Sequence, residues 1–296
     1  MSQNRKRKKL KASTILLHLF FLVIAVICIY PILLIVFNAF TSEAYVQEFG
    51  YVAWPKVFST DAFQFLFRNS AELLNATVVS CVSAIGGGLF SVVVSAMIGY
   101  SLTRLSPVPK KVITIILTIT MFFNAGLIPT YMVNTTVYHL ENSWILYIVN
   151  GSVTAFNVFI YRTFFSQIPY SLIESAEIDG ATHMQIFRKI VLPLSMPIIA
   201  TQLFLNICLK WKDYTTSLYY MTEQNMVTLE YYILQILQDA NIMKNSLLAA
   251  GISADNIPLE TMRFATVLFT LIPMFIMFPF MQRYFKKGAV VGAVKG

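Results

Sequence analysis

An all-α polytopic membrane protein is the fold class this sequence predicts, and three observations carry it. Hydrophobic residues fill 57% of the 296 positions and charged residues only 12%. Mean hydropathy is +0.66. A soluble domain averages about 25% charged residues, so this chain has too few charges to cover a water-facing surface. The apolar residues are also gathered into runs long enough to cross about 30 Å of hydrocarbon, roughly 20 residues each.

Six such runs are expected as spans: 14–38, 73–101, 112–133, 143–164, 196–218 and 264–285. Residues 1–13 are a basic flank in which Arg5, Lys6, Arg7, Lys8, Lys9 and Lys11 directly precede the first run. That run exceeds the apolar core of a signal peptide and has no small-residue cleavage site, so it reads as a retained span. Placing the N-terminus in the cytoplasm puts Arg104, Lys110, Lys111, Arg162, Arg188, Lys189, Arg283, Lys286, Lys287 and Lys295 on the same side, sixteen of the 22 basic residues in all. The positive-inside rule therefore predicts a plasma-membrane protein with both termini cytoplasmic, including the tail 286–296, around a membrane core at about 71–285. The net charge of +8 resides in these flanks, which argues against a nucleic-acid surface.

Two external segments are long, 39–70 and 219–262. The first holds Tyr45, Phe49, Tyr51, Trp54, Phe58 and Phe63, which fit either an interfacial aromatic belt or a surface that docks an external partner. The second span carries Gly87, Ser91, Ser95 and Gly99 at four-residue spacing, a stripe of small residues for close helix packing. Cys28, Cys81 and Cys208 lie inside apolar runs and are expected to be buried packing residues. With His18, His139 and His183 scattered, no metal site is predicted.

The loop 168–193 reads Ile168-Pro-Tyr-Ser-Leu-Ile-Glu-Ser-Ala-Glu-Ile-Asp-Gly-Ala-Thr-His-Met-Gln-Ile-Phe-Arg-Lys-Ile-Val-Leu-Pro193, on the cytoplasmic side of the predicted topology. Ser171 with Glu174, and Thr182 with Gln185, fit two capping boxes and so predict two short helices. Gly180 stands between them, where a helix stop needs a residue that tolerates positive φ. Pro193 is expected to end the second helix. A capped elbow of this kind transmits rigid-body motion, although an ordinary connector fits the same signals.

The elbow resembles the EAA loop of ABC-importer permeases. Glu174, Ser175, Ala176, Gly180, Ile190, Leu192 and Pro193 match its pattern, with serine at 175 where alanine is usual, and Asp179 and Ala181 resemble the carbohydrate-uptake branch. Phe123-Asn-Ala-Gly-Leu-Ile-Pro-Thr-Tyr131 is similar to a signature of oligosaccharide-type permeases, with Ala125 replacing a glycine, and the ending Phe278 to Gly296 also looks like theirs. The resemblance implies a type I importer permease fold. It implies a second homologous permease, two ATPase subunits holding ATP and magnesium, and a lipoprotein or periplasmic sugar-binding protein, with no cofactor or catalytic residue in this chain. By the same likeness Glu174, Ser175, Ala176, Asp179, Gly180, Ala181, Phe187, Leu192 and Pro193 form the coupling contact with the ATPase, and an oligosaccharide is the cargo.

Polar side chains inside spans are costly and therefore functional candidates. The densest group is Lys210, Trp211, Lys212, Asp213 and Tyr214, followed by Tyr219; it lies where related sugar permeases carry a Trp-Asn-Asp motif. Sugars stack on aromatic rings and hydrogen-bond to planar groups, so these residues are expected along the substrate pathway. Asn124 and Asn157 are further candidates, as is Asn150, although amides also serve as glue between helices. The bland reading is that the 212–213 region reaches the interface while Lys210 snorkels. Two lysines near the route raise the expectation of an acidic cargo. The competing readings are an importer for a non-sugar solute and an ion-coupled transporter, for which Asp213 alone makes a poor relay. The sequence has no phosphate loop, nucleophile elbow or zinc-protease motif.

Overall fold

Breaks in the helices coincide with prolines, positive-φ glycines and capping hydroxyls. The computed structural model describes residues 12–254 and 257–293; among them regular structure is helical, apart from one antiparallel bridge between Thr41 and Phe58. The chain forms α1 (Ala12–Ala39), then α2 (Glu43–Phe49), whose first turn is capped by Ser42 Oγ accepting from Tyr45 N, and α3 (Asp61–Leu66). The long α4 (Ser70–Arg104) follows, and α5 (Pro107–Phe122) opens with Pro107, where the missing N–H costs nothing. After the turn at Gly126 (φ +85°), α6 (Leu127–Met132) and a π-type turn, Val133–Val137, leave α5 at 117°.

Next come α7 (Trp144–Val149) and α8 (Ala155–Phe165), capped by Ser143 and Thr154. The elbow is α9 (Tyr170–Ile178), α10 (His183–Ile186), a π-type turn Phe187–Val191, and α11 (Leu192–Leu194). A bend of 83° at Ser195 leads into α12 (Met196–Trp211). The remaining helices are α13 (Thr215–Tyr220), α14 (Leu229–Ala249) and α15 (Leu259–Ala293), the last containing Pro273 and Pro279.

By length and composition three segments cross a membrane alone, Leu16–Ala39, Asp61–Arg104 and Leu259–Pro279, and up to five do so if each bent pair is one span. Residues 143–164, expected as a fourth continuous run, are divided between α7 and α8 by the turn Asn150–Thr154. The 196–218 run is broken between Trp211 and Thr215, where α13 begins, and the segment 219–262, expected to be external, holds the 21-residue α14. The basic flank lies outside the described residues, apart from Ala12 and Ser13.

Two compact units emerge. One joins the residues up to Arg68 to Ile236–Phe269, with a core of Ala39, Ala62, Ala240, Leu259, Met262 and Ala265. The other joins Asn69–Gln235 to the residues from Thr270 onward. In it α4 packs along α12, α8 and α7. The small-residue stripe makes this possible: a Cβ added at Gly99 would lie 2.7 Å from Tyr161 Cβ, and one at Gly87 would lie 3.0 Å from the Lys210 stem. Ser91 and Ser95 on the same stripe are buried. The cysteines are less enclosed than the sequence reading expects: Cys28 is exposed, and Cys81 and Cys208 are half-buried, because the apolar runs that hold them turn one face away from the chain.

Candidate functional site

The polar residues of the second unit converge at the break between α7 and α8. There a cavity of about 660 Å³ is lined by Asn150, Thr154, Asn157, Asn206, Lys210, Asp213 and Thr216, among others. Thr154 Oγ1 caps α8 by accepting from Asn157 N at 3.3 Å, which sets the amide of Asn157 facing α4 and α12. Its Nδ2 donates to Asn206 Oδ1 at 3.2 Å and to Ser91 Oγ at 3.4 Å, while Ser91 Oγ donates to Asn206 Oδ1 at 3.0 Å. Three helices thus share one buried polar cluster, in which Asn206 Oδ1 accepts from both Asn157 and Ser91, while Asn206 Nδ2 donates to Gln202 O of its own helix at 2.7 Å.

Lys210 does not snorkel. It is 8% exposed, and its ammonium donates to Tyr147 O at 3.1 Å and Asn150 O at 2.5 Å. These carbonyls belong to the last turn and C-cap of α7, where helix geometry leaves acceptors without partners and the dipole favours a cation. Asp213 is occupied by α13: it accepts from Thr215 Oγ1 at 2.8 Å, Thr216 N at 3.1 Å and Thr216 Oγ1 at 2.6 Å.

Of the residues expected on the pathway, Lys210, Asp213 and Asn157 line this cavity, as does Asn150. Trp211 turns away; its ring is buried and Nε1 donates to Thr270 O at 3.0 Å. The hundred-degree step between neighbours on a helix sends Lys210 and Trp211 to different faces. Lys212, Tyr214 and Tyr219 are solvent-exposed and outside the cavity lining, and Asn124 uses Oδ1 to accept from Gly126 N at 2.9 Å. Asn206 and Thr216 line the cavity without having been singled out; Asn206 stands four residues before Lys210 in an apolar helix, which was the signal available.

The elbow is built as a turn between two arms. Gly180 has φ +78°, and Thr182 and Gln185 form the expected capping box at α10: Gln185 N donates to Thr182 Oγ1 at 3.3 Å and Thr182 N to Gln185 Oε1 at 2.8 Å. The other expected box is absent. Pro169 occupies the N-cap of α9, so Ser171 already lies in the first turn, and Glu174 is free and exposed. Pro193 does not end the second arm either; it sits in the first turn of α11, where a proline is tolerated, and the chain bends at Ser195.

Glu174, Ser175, Asp179, Gly180 and Pro193 are exposed, Ala176, Ala181 and Leu192 half-buried. Phe187 is buried against Tyr100, centroids 5.1 Å apart, so it fastens the elbow to α4 and presents no surface. Ile178, 80% exposed at the tip of the first arm, is the apolar surface residue the sequence reading passed over. The elbow has a second hold on α4: the Arg104 guanidinium lies 5.7 Å from the ring centres of both Tyr100 and Tyr170.

Residues 91–291 match the family described as binding-protein-dependent transport system inner membrane component. A polygalacturonan/rhamnogalacturonan transport system permease protein of Bacillus subtilis (strain 168) is 32% identical over 281 residues, 95% of this chain and 97% of that protein. An arabinooligosaccharides transport system permease protein of the same organism is 25% identical over 95% of this chain and 96% of its own length. Among solved structures, a chain from a bacterial ABC transporter involved in import of the acidic polysaccharide alginate aligns with a TM-score of 0.76 at 24% identity, covering 96% of this chain and 100% of its own.

Proposed function

This chain belongs to the binding-protein-dependent transport system inner membrane components, and from that premise we propose that it carries uronate-containing oligosaccharides past Lys210. It is a membrane-spanning permease subunit of an ABC importer for oligosaccharides. ATP hydrolysis, with its magnesium, belongs to two ATPase subunits that dock on the elbow at Glu174 to Gly180. A second homologous permease completes the passage, and an extracytoplasmic binding protein delivers the sugar. Both termini lie in the cytoplasm.

The observation that carries the acidic cargo is the buried Lys210 ammonium on the cavity wall. Two of its three donors are on carbonyls, which bear no formal charge, and Asp213, the acid whose charge acts on it, has its oxygens already occupied by α13. A carboxylate passing through the cavity gains a charge-assisted partner there, and the amides of Asn157 and Asn206 suit sugar hydroxyls. The relative named for polygalacturonan, a polymer of an acidic sugar, supports the same cargo.

The test is uptake by the complete importer in proteoliposomes, comparing oligogalacturonate with its neutral methyl ester. Preferential transport of the acid is expected. Equal transport of the two would end the acidic reading and leave the family assignment standing.

A further inference from the structure

The chain leaving α1 folds back on the end of that helix. Asn38, in the last turn and 1% exposed, holds Val52 with both ends of its amide: Oδ1 accepts from Val52 N at 3.0 Å and Nδ2 donates to Val52 O at 3.0 Å. Ser42 N donates to Val57 O at 3.0 Å and Ser59 N to Phe40 O at 2.9 Å, closing a short ladder. Residues 52–59 therefore run beside residues 38–42, at the level where the helix ends. Their rings are seated on α1 and its exit: Trp54 packs on Phe37 with centroids 5.1 Å apart, and Phe58 stacks on Phe40 at 5.6 Å.

The outer faces of these rings are bare. Trp54 is 66% and Phe58 68% exposed, and Phe49 and Tyr51 are similarly open. The helix they fold back on, α1, has in its Leu16–Ala39 segment a mean hydropathy of 3.2 and no burial within the chain in its most apolar window. A patch clamped at the exit of an apolar helix long enough to span, and rich in Trp, Tyr and Phe, has the composition and position of an interfacial anchor.

We propose that residues 49–58 lie in the headgroup and upper acyl region of the external leaflet, binding lipid and fixing the depth of α1. Lys56 on the same return is exposed and suits lipid phosphate. A docking surface for a soluble protein would have to stand clear of the bilayer, whereas the Asn38 clamp holds this one at the end of the span. The inference rests on α1 crossing the membrane and is independent of the cargo.

The experiment uses the full importer in phosphatidylcholine vesicles whose chains carry bromine either near the glycerol or near the methyl end. Subtracting the emission of a Trp54→Phe importer isolates Trp54. Its emission should be quenched about twofold more by shallow than by deep bromine, with little effect of aqueous iodide. Moving the reporter with Tyr51→Trp in the Trp54→Phe background should give the same depth. Quenching by iodide and by neither lipid would overturn the proposal. So would shielding that appears only when the binding protein is added, which would assign the patch to that protein.

Discussion

Lys210 donates its ammonium to the carbonyl of Asn150 at 2.5 Å, and Asn150 is the residue at which α7 stops. The bond ties α12 to the break in the neighbouring helical run, so one side chain both shapes the cavity and charges its wall. Lys210→Met keeps most of the stem volume and leaves the Tyr147 and Asn150 carbonyls without this partner, a loss on the order of 1–3 kcal/mol. The purified complex should melt at lower temperature, and any preference for acidic over neutral oligosaccharide should disappear. An unchanged melting curve with unchanged preference would remove Lys210 from both roles.

The Arg104 guanidinium sits between Tyr100 and Tyr170, joining the first arm of the elbow to α4. Cation–π contacts are each worth about 0.5–2 kcal/mol. Tyr170→Leu should therefore lower sugar moved per ATP hydrolysed, and Tyr170→Phe should restore most of it. Paired transport and ATPase assays read this ratio; equal behaviour of the two variants would show that the ring is not the link.

Gly180 holds φ +78° with no atom near the position of an added Cβ, so backbone strain and not crowding limits substitution. Gly180→Val carries a β-branched side chain into that region, at a cost of about 1–3 kcal/mol, and should deform the turn. Transport should be abolished while sugar binding to the external protein is unchanged. Normal uptake by this variant would contradict docking at the elbow.

Burial pushes the Glu230 carboxyl above the usual carboxylate range, with nearby Lys212 opposing the shift. The native state thus holds this proton more tightly than the unfolded state does. The resulting stability is fully present below the ordinary glutamate value and is lost as pH rises through the raised native value. Thermal melting of the complex between about pH 4 and pH 7 should show this decline, and Glu230→Gln should flatten it. A variant with the same slope as the parent would refute Glu230 as its source.

Legibility followed the range of the interactions. The Thr182 and Gln185 box and the turn at Gly180 were readable because both rest on contacts within a few residues. The box at Ser171 misled because Pro169, two residues earlier, starts α9 sooner and leaves the serine inside the helix. Gly87 and Gly99 showed a packing face by spacing alone, yet nothing local indicated that Lys210 would fill the space beside Gly87.

The sequence by itself determined that the bilayer is the solvent, which segments are apolar enough to enter it, and where the elbow turns, since composition, periodicity and capping are properties of neighbouring residues. Tertiary structure decided which polar side chains share a cavity. Lys210 and Trp211 are adjacent in sequence but leave the helix in different directions, one toward the carbonyls that end α7 and the other toward Thr270. It also decided that residues 49–58 lie beside the exit of α1, because the pairing of Asn38 with Val52 joins positions that no periodic pattern connects.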